Sequence, residues 1–351
     1  MPSAKGYRSY HGRGRAGKII LIAALCVLLL AAVGFLILQR YAVYGTDGSI
    51  RFELPWKDAQ TPPVTPPDSS APEGGMEVVI EQQPVEVEPE ELHAVELEES
   101  VLRGGADAAL AALGEDTNAV AVRVKNEAGE LLYASALTDA IDAGAVRGDA
   151  ASLAAIETLT GSEKYTIARI SALHDSIFSF AHMAEAGVLQ LNYPGYIWYD
   201  PDSTFFLAPE KEAARAYLVS IARECAALGF DELLFDSFAY PARGRLTNID
   251  ESARTMTKEE ALSLLAAALR EGTADFSVKL SVQLDAATVL AGGNETNGQS
   301  LAALAEQFDR IYVETTAEEL PALTQALAPY SAQLVPILPE AAGEGNYLTT
   351  K

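Results

Sequence analysis

From about residue 92 onward, short apolar runs of strand length alternate with stretches that have helical periodicity. The segment from Pro209 to Leu228 places apolar residues at helical spacing, and Gly229 follows it at the position of a helix C-cap. A second helix is expected to open with a capping box at Thr257 and to end near Gly272. The regular alternation of strand and helix predicts a parallel α/β protein.

Seven segments have the length and composition of buried strands. They are Leu92–Leu97, Ala119–Val124, Tyr165–Ile170, Glu232–Asp236, Ser277–Gln283, Arg310–Glu314 and Gln333–Leu338. Neither a Gly-x-Gly-x-x-Gly turn nor a Gly-Lys-Ser/Thr phosphate loop follows an early strand, so an open nucleotide-binding sheet lacks its usual signal. The length favours a TIM-type (β/α)8 barrel. Only 13 residues follow Leu338, so either Met76–Ile80 supplies the eighth strand or the barrel is incomplete.

The N-terminal part of the chain has a different pattern. Ile19–Leu38 is an unbroken run of 20 uncharged residues, which is about the number that a helix needs to cross a bilayer. Five basic residues precede this run and the first acidic residue is Asp47, so the positive-inside rule predicts a cytoplasmic N-terminus and an extracytoplasmic C-terminal domain. A cleaved signal peptide is the alternative. Its apolar region would be shorter, about 7–15 residues, and would end in a small-residue cleavage site, whereas this run continues into Gln39-Arg40. We expect an uncleaved, single-pass anchor in the cell membrane.

The segment between the anchor and the first strand has the composition of a spacer. Five prolines lie within Ala59–Gly75, and nine glutamates with no lysine or arginine lie within Glu77–Glu99. Such stretches favour extended, self-repelling chains. The expected organisation is a basic cytoplasmic tail at 1–18, a transmembrane helix at 19–38, a Pro- and Glu-rich linker at 39–90 and a barrel domain at 91–345.

Composition narrows the range of partners and chemistries. The formal net charge is −24, and the cytoplasmic tail is basic, so the remainder is still more acidic. This charge argues against nucleic acid as a partner. No His-Glu-x-x-His motif or cysteine pair offers metal-ligand spacing, and no Gly-x-Ser-x-Gly elbow occurs. We therefore expect no metal and no cofactor.

Candidate catalytic residues follow from the strand assignments, because reactive groups of βα barrels lie at the C-terminal ends of strands. The fourth strand ends at Asp236 and the sixth ends at Glu314. Carboxylates that converge from different strands suit glycoside hydrolysis, in which one acts as an acid and the other as a nucleophile or base. The chain contains 49 acidic residues, so one acidic position by itself carries little weight.

Aromatic residues cluster around the fourth strand, where their faces could stack on sugar rings. They are Tyr193, Tyr196, Trp198, Tyr199, Phe205 and Phe206 before the strand, and Phe238 and Tyr240 after it. Trp198 and Tyr240 are the strongest candidates for sugar contact. The alternative is that the cluster packs the long connection between the third and fourth strands.

Four stretches together resemble a known family. They are Gly229-Phe-Asp-Glu-Leu-Leu-Phe-Asp-Ser-Phe-Ala-Tyr-Pro241, Thr117–Lys125, Tyr165–Ile170 followed by His174-Asp175, and Trp198-Tyr-Asp-Pro201. In this pattern the chain is similar to the bacterial glycoside hydrolase-like domain family with a TIM-barrel fold, long catalogued as a domain of unknown function. The resemblance spans about Leu92 to Leu338 and implies the barrel fold and a polysaccharide ligand.

The chain departs from that family's pattern at several positions. Ala239 replaces the arginine of the hallmark, Arg123 replaces an acidic residue of the second strand, and Gln283 replaces an aspartate of the fifth. His174 replaces a lysine, the segment after Glu314 differs, and the family's closing Trp-x-x-Gln-Asp-Phe segment is missing. The scaffold and Asp236 are retained.

Two functional hypotheses remain open from the sequence. The first is a membrane-anchored glycoside hydrolase that acts on cell-envelope polysaccharide, with Asp236 as nucleophile or base and Glu314 as acid. Its predicted substrate-binding residues are Lys125, His174, Asp175, Trp198 and Tyr240. The second is a non-catalytic glycan-binding or envelope scaffold protein that kept the barrel and lost the chemistry.

Overall fold

A computed structural model describes residues 42–44, 50–52, 91–252 and 254–350. The predicted anchor, Ile19–Leu38, lies outside the described residues. Within the described part of the chain, no helix combines the length and the apolar character that a bilayer crossing requires. The chain divides into the units Met1–Glu81 and Gln82–Lys351. Of the first, the structure describes a short antiparallel pair of strands, Ala42–Tyr44 and Ile50–Phe52.

The second unit is a closed barrel of eight parallel strands, which confirms the predicted TIM-type fold. The strands are β1 His93–Leu97, β2 Ala119–Lys125, β3 Tyr165–Ser171, β4 Glu232–Asp236, β5 Lys279–Asp285, β6 Arg310–Glu314, β7 Gln333–Leu338 and β8 Tyr347–Thr350. The fifth strand lies two residues further along the chain than predicted. Asp285 is therefore its last residue rather than part of the following loop.

The prediction of an incomplete barrel, or of one completed by Met76–Ile80, is wrong. Strand β8 takes the eighth position and pairs in parallel with both β7 and β1, with Tyr347 opposite His93. The rings of these two residues stack with their centroids 4.7 Å apart. The chain passes from β7 to β8 without a helix, so the 13 residues after Leu338 are enough for a strand although they are too few for a complete βα unit.

Ten helices cover the outside of the barrel in the described range 91–350, apart from the undescribed Ala253. They are α1 Ala106–Ala111, α2 Thr138–Asp142, α3 Ala150–Thr160, α4 Ser176–Ala181, α5 Met183–Ala186, α6 Glu212–Ala227, α7 Lys258–Gly272, α8 Ala286–Ala291, α9 Leu301–Gln307 and α10 Leu320–Leu327. Two short 3-10 turns lie at Glu99–Arg103 and Leu246–Asn248. The capping box predicted at Thr257 opens α7, where the Thr257 hydroxyl accepts from the Glu260 amide at 3.1 Å.

The barrel interior is filled by side chains, so a ligand can bind only at its ends. Its middle is apolar and includes Ala121, Leu234 and Tyr312, all fully buried. Nearer the N-terminal ends of the strands, Arg310 of β6 donates to the buried carboxylate of Glu232 on β4. The alternating residues face outward, where they form the larger core with the helices. Polar inward-facing residues at the C-terminal ends are therefore the ones available for chemistry.

Candidate functional site

Asp236 lies at the C-terminal end of β4, in the position that the sequence predicts. Every residue of this strand is buried, and the two-residue alternation turns Glu232, Leu234 and Asp236 toward the barrel axis. Because Asp236 is the last of the three, its side chain reaches the rim, where it is 6% exposed. The next residue, Ser237, has a left-handed backbone with φ 51°, which turns the chain sharply out of the strand.

Two arginines hold the Asp236 carboxylate. Arg123 at the end of β2 forms an ion pair with Oδ2 of Asp236, with Nη1 2.8 Å away. Arg169 of β3 donates from Nη2 to the same oxygen at 3.1 Å. Burial works against the charge of Arg123, but the neighbouring carboxylates of Asp236, Glu96 and Glu127 outweigh it and raise the pKa of this arginine.

Arg169 connects Asp236 to two further strands. Its Nη1 donates to Oε2 of Glu96 on β1 at 2.5 Å, and its Nη2 also donates to Oε1 of Gln283 on β5 at 2.7 Å. Strands β1 to β5 therefore all contribute to one polar network at the rim. Since one guanidinium bridges Glu96 and Asp236, the nearest oxygens of these carboxylates lie well inside the ~9.5 Å upper limit for catalytic carboxylate pairs in glycosidases.

The arrangement determines which chemical roles suit Asp236. A guanidinium offers hydrogen-bond donors and no acceptor, so the oxygen of Asp236 that faces the two arginines can act only as an acceptor. Among the described residues no group donates a hydrogen bond to the other oxygen, the buried Oδ1. Asp236 is thus arranged as a base, a nucleophile or a hydrogen-bond acceptor for a ligand, and it is poorly arranged to donate a proton.

Two adjoining cavities open at this rim. The first, of about 240 Å³, contains the network of Asp236, Arg123, Arg169 and Gln283. The second, of about 340 Å³, is lined by His174, Tyr240 and Phe206 among others. The two cavities share four wall residues, so they are parts of one cleft. The shared residues are Ser237, Ala239, Asp285 and Asn297.

His174 and Tyr240, two of the predicted substrate-binding residues, line the second cavity. The His174 ring stacks on Phe206 with 4.7 Å between centroids, and burial lowers the pKa of this histidine although Glu127 opposes the shift. Tyr240 donates its hydroxyl to Glu210 at 2.5 Å. Burial, followed by the charge of Glu210, raises the pKa of Tyr240 above its ordinary value. Both rings are therefore uncharged, and their contacts hold them in place in the wall of the second cavity.

The structure places Lys125 and Asp175 away from the cleft surface, so it does not bring them to a ligand. Both side chains are fully buried, and Lys125 Nζ lies 2.8 Å from Asp175 Oδ2. Lys125 also donates to the Ser171 carbonyl at 2.7 Å, and Asp175 accepts from the Phe178 amide at the start of α4. The pair joins the end of β2 to the α4 N-terminus, which is a structural role.

Trp198 and Glu314 also lie outside the two cavities of the cleft. Trp198 is buried, and its indole N–H donates to the carbonyl of Arg245 at 3.1 Å, so it supports the long β3–β4 connection. Glu314 is exposed at the end of β6, in register with Asp285 of β5. Of these two register partners, Asp285 is the one that lines the cleft.

The network around Asp236 was not predicted from the sequence. Arg123 and Gln283 stand out there only as departures from the family pattern, and no sequence signal gives Arg169 or Glu96 a role. The alternation of inward- and outward-facing residues along a strand does predict part of the site. A charged residue at the end of a buried strand, such as Asp236 in β4, faces the rim. Among the described residues, no group of three or more His, Cys, Asp or Glu side chains is arranged to hold a metal ion.

A closed parallel barrel with a carboxylate at the end of β4 and a rim cleft is an architecture that TIM-barrel glycosidases share with other barrel enzymes. Residues 107–313 match the model of the family described as "Putative glycosyl hydrolase domain", and the chain belongs to this family. No curated protein matches the chain.

Several solved structures are similar to this chain. The PgaB (BpsB) glycoside hydrolase domain from Bordetella bronchiseptica is 15% identical, with a TM-score of 0.50 over 74% of this chain and 94% of that one. A hypothetical protein from Ruminiclostridium thermocellum is 23% identical, with a TM-score of 0.45 over 54% of this chain and 96% of that one. The glycoside hydrolase domain of PelA from Pseudomonas aeruginosa is 14% identical, with a TM-score of 0.41 over 71% of this chain and 84% of that one. At these identities the PgaB domain supports the fold alone.

Proposed function

We propose that this glycoside-hydrolase-like domain binds cell-envelope polysaccharide in the rim cleft, outside the cytoplasm, while the N-terminal segment Ile19–Leu38 anchors it in the membrane. The observation that carries the proposal is the environment of Asp236. Asp236 lines the cleft with its Oδ2 held by Arg123 and Arg169, while its buried Oδ1 accepts no hydrogen bond from the described residues. A sugar hydroxyl would supply that missing donor.

The arginines favour binding over cleavage. Glycoside hydrolysis needs a general acid that protonates the leaving oxygen, together with a nucleophile or base. Asp236 is arranged for the second role only, and its bridged neighbour Glu96 bonds Arg169 at 2.5 Å and lines neither cavity of the cleft. The predicted acid, Glu314, does not line either cavity of the cleft. Binding requires no such pair.

Hydrolysis is the second candidate, and one observation favours it. Asp285 and Glu127 line the same cavity as Asp236, and both are exposed to solvent from which an acid could be reprotonated. In this alternative Asp236 acts as nucleophile or base, and a cleft carboxylate other than Glu96 donates the proton.

A glycan array probed with the purified full chain tests the proposal. We expect retention of at least one envelope polysaccharide, and a loss of roughly tenfold or more in affinity with Asp236→Asn, because an amide cannot replace the carboxylate against two arginines. The exposed Asp275→Asn is a matched control and should bind like wild type. Absence of glycan binding by the wild-type chain contradicts the proposal. Product formation that Asp236→Asn abolishes would establish hydrolysis instead.

The location is tested separately. A protease added to intact cells should remove a C-terminal tag from the full chain, and it should leave the first 18 residues protected, because the basic residues before Ile19 retain that end in the cytoplasm. Protection of the C-terminal tag would contradict the extracytoplasmic placement and leave glycan binding by the cleft unaffected.

A further inference from the structure

The cavity around Asp236 is small for a ligand. Its volume of about 240 Å³ falls below the ~300–1,000 Å³ that is typical of ligand sites. It continues into the second cavity through the four shared wall residues, and the second cavity shares Asp200 with a third, of about 510 Å³. The third cavity therefore adjoins the second at Asp200, and a ligand held at Asp236 would extend along the second cavity to reach this path of three neighbouring cavities.

Aromatic rings mark the far end of this path. The third cavity is lined by Tyr193 and Tyr199, whose exposed fractions are 65% and 55%. Trp198 lies between them in the chain. Its side chain is buried, and its indole N–H donates to the carbonyl of Arg245. Two amide side chains, Gln190 and Asn248, lie in the same wall. Flat apolar faces combined with amide donors and acceptors are the groups that recognise a sugar ring with its hydroxyls.

Backbone hydrogen bonds order the loop that carries these tyrosines. The Tyr196 amide donates to the carbonyl of Tyr193 at 3.0 Å, and the Gln190 amide donates to the carbonyl of Tyr196 at 2.8 Å. The Trp198 amide donates to Val188 at 2.7 Å. Because the backbone is already ordered, a ligand that stacks on the rings does not have to order the loop first. Exposed rings in a rigid loop beside a cavity indicate a binding surface.

The charges along the path balance. The three cavities are lined by four arginines and four carboxylates, which are Arg123, Arg169, Arg243 and Arg245 with Glu127, Asp200, Asp236 and Asp285. Opposite charges in equal number give neither an anionic nor a cationic ligand a strong net attraction. The path therefore suits an uncharged polymer.

We propose that the cleft continues into a distal subsite at Tyr193 and Tyr199, and that its ligand is an uncharged polysaccharide chain long enough to reach from Asp236 to these rings. The inference rests on the proposed glycan binding at Asp236 and adds the ligand class and the residues that select for chain length. Binding strength should therefore increase with the number of sugar units until the distal subsite is filled.

Calorimetric titration of the full chain with uncharged oligosaccharides tests the subsite. The probes are the cello- and chito-oligosaccharide series, from the disaccharide to the hexasaccharide. For wild type we expect affinity to rise along at least one series. The double variant Tyr193→Ala/Tyr199→Ala should lose about tenfold for the longest oligomer and almost nothing for the shortest.

Tyr196→Ala is the matched control, because Tyr196 is 66% exposed in the same loop and does not line the third cavity. It should bind every oligomer like wild type. If affinity does not rise with length, or if the double variant binds the longest oligomer as tightly as wild type, the subsite is refuted while binding at Asp236 stands. If no oligomer of either series binds wild type, the uncharged-polymer inference is refuted. If the wild-type chain also binds no glycan on the array, the proposed function is refuted as well.

Discussion

Arg169 has the densest set of polar contacts around Asp236. It is nearly buried and bonds Glu96, Asp236 and Gln283, whereas Arg123 is more exposed and forms an ion pair with Asp236. Removing one partner from a buried ionic network leaves its remaining charges unpaired, and this costs more than the pair contributed. The two arginines are therefore unequal in their contribution to stability.

We expect Arg169→Met to lower the free energy of unfolding by about 3–5 kcal/mol, since it leaves the carboxylates of Glu96 and Asp236 without this partner. Arg123→Met should cost clearly less. Urea titration followed by circular dichroism measures both. Arg243→Met is the control, because its side chain is largely exposed and should change stability least. Equal losses for Arg169 and Arg243 would show that the network is not a stabilising unit.

Ser237 is strained by its left-handed backbone, with φ 51°. A side chain in this region costs roughly 1–2 kcal/mol, and glycine avoids that cost. We expect Ser237→Gly to raise the unfolding free energy by up to about 1 kcal/mol, because glycine also loses more chain entropy on folding. Ser220→Gly in the middle of α6 should have the opposite sign. If thermal melts show both variants destabilised alike, Ser237 carries no strain.

Burial lowers the pKa of His174 below its ordinary value. A histidine whose pKa is lower in the folded than in the unfolded state adds stability above the unfolded pKa, and this contribution is lost as the pH falls through the folded pKa. We expect the His174 ring to titrate below 6.5 in NMR spectra, with the signal assigned by its absence in His174→Gln. The variant should also weaken the fall in stability on acidification. A titration above 6.5 would contradict this account.

At the scale of secondary structure, the loop after β2 packs closely against the start of α4. Gly129 has φ +93°, and a Cβ placed there would lie 2.1 Å from Oδ1 of Asp175, the residue that pairs with Lys125 and caps α4. The buried ion pair and the cap therefore depend on a residue without a side chain at this position.

Gly129→Ala should combine backbone strain with this overlap and lower the unfolding free energy by about 2–5 kcal/mol. Gly144→Ala is a matched control, because Gly144 also has a positive φ, +73°, but its Cβ would meet no atom within 4 Å. It should show the backbone cost alone, measured by the same urea titration. Equal effects would mean that the contact with Asp175 adds nothing.

Apolar periodicity and capping signals predicted most elements of this domain. The Thr257 capping box and the Gly229 helix stop both lie where expected, because local chemistry determines them. Strand β8 was missed because it is short and no helix separates it from β7, so only its pairing with β1 and β7 identifies it. Asp236 could be predicted from its place at a strand end. The contacts of Arg123 and Arg169 could not, since they depend on the register of three strands.

At the scale of the whole molecule, four residues of β8 close the barrel. Leu348 is fully buried in its interior, and Tyr347 stacks on His93 of β1. Without this strand β1 and β7 would both become exposed edges. The cooperative stability of the domain therefore depends on the last residues of the chain.

We expect a chain that ends at Asn346 to lose its cooperative thermal transition, because the barrel then stays open. Leu348→Ala, a smaller change, should lower the unfolding free energy by about 2–5 kcal/mol. A chain shortened only by Lys351 is the control and should melt like wild type. Scanning calorimetry distinguishes the three. A cooperative melt of wild-type enthalpy in the chain that ends at Asn346 would show that β8 is dispensable.

The central claim is that a polysaccharide binds at the rim against the free oxygen of Asp236. A crystal structure of the full chain with the tightest-binding glycan tests this most directly. We expect a sugar hydroxyl within hydrogen-bond distance of Asp236 Oδ1, with Arg123 and Arg169 still on Oδ2. A glycan bound elsewhere, or an Asp236 that makes no contact with it, would contradict the account.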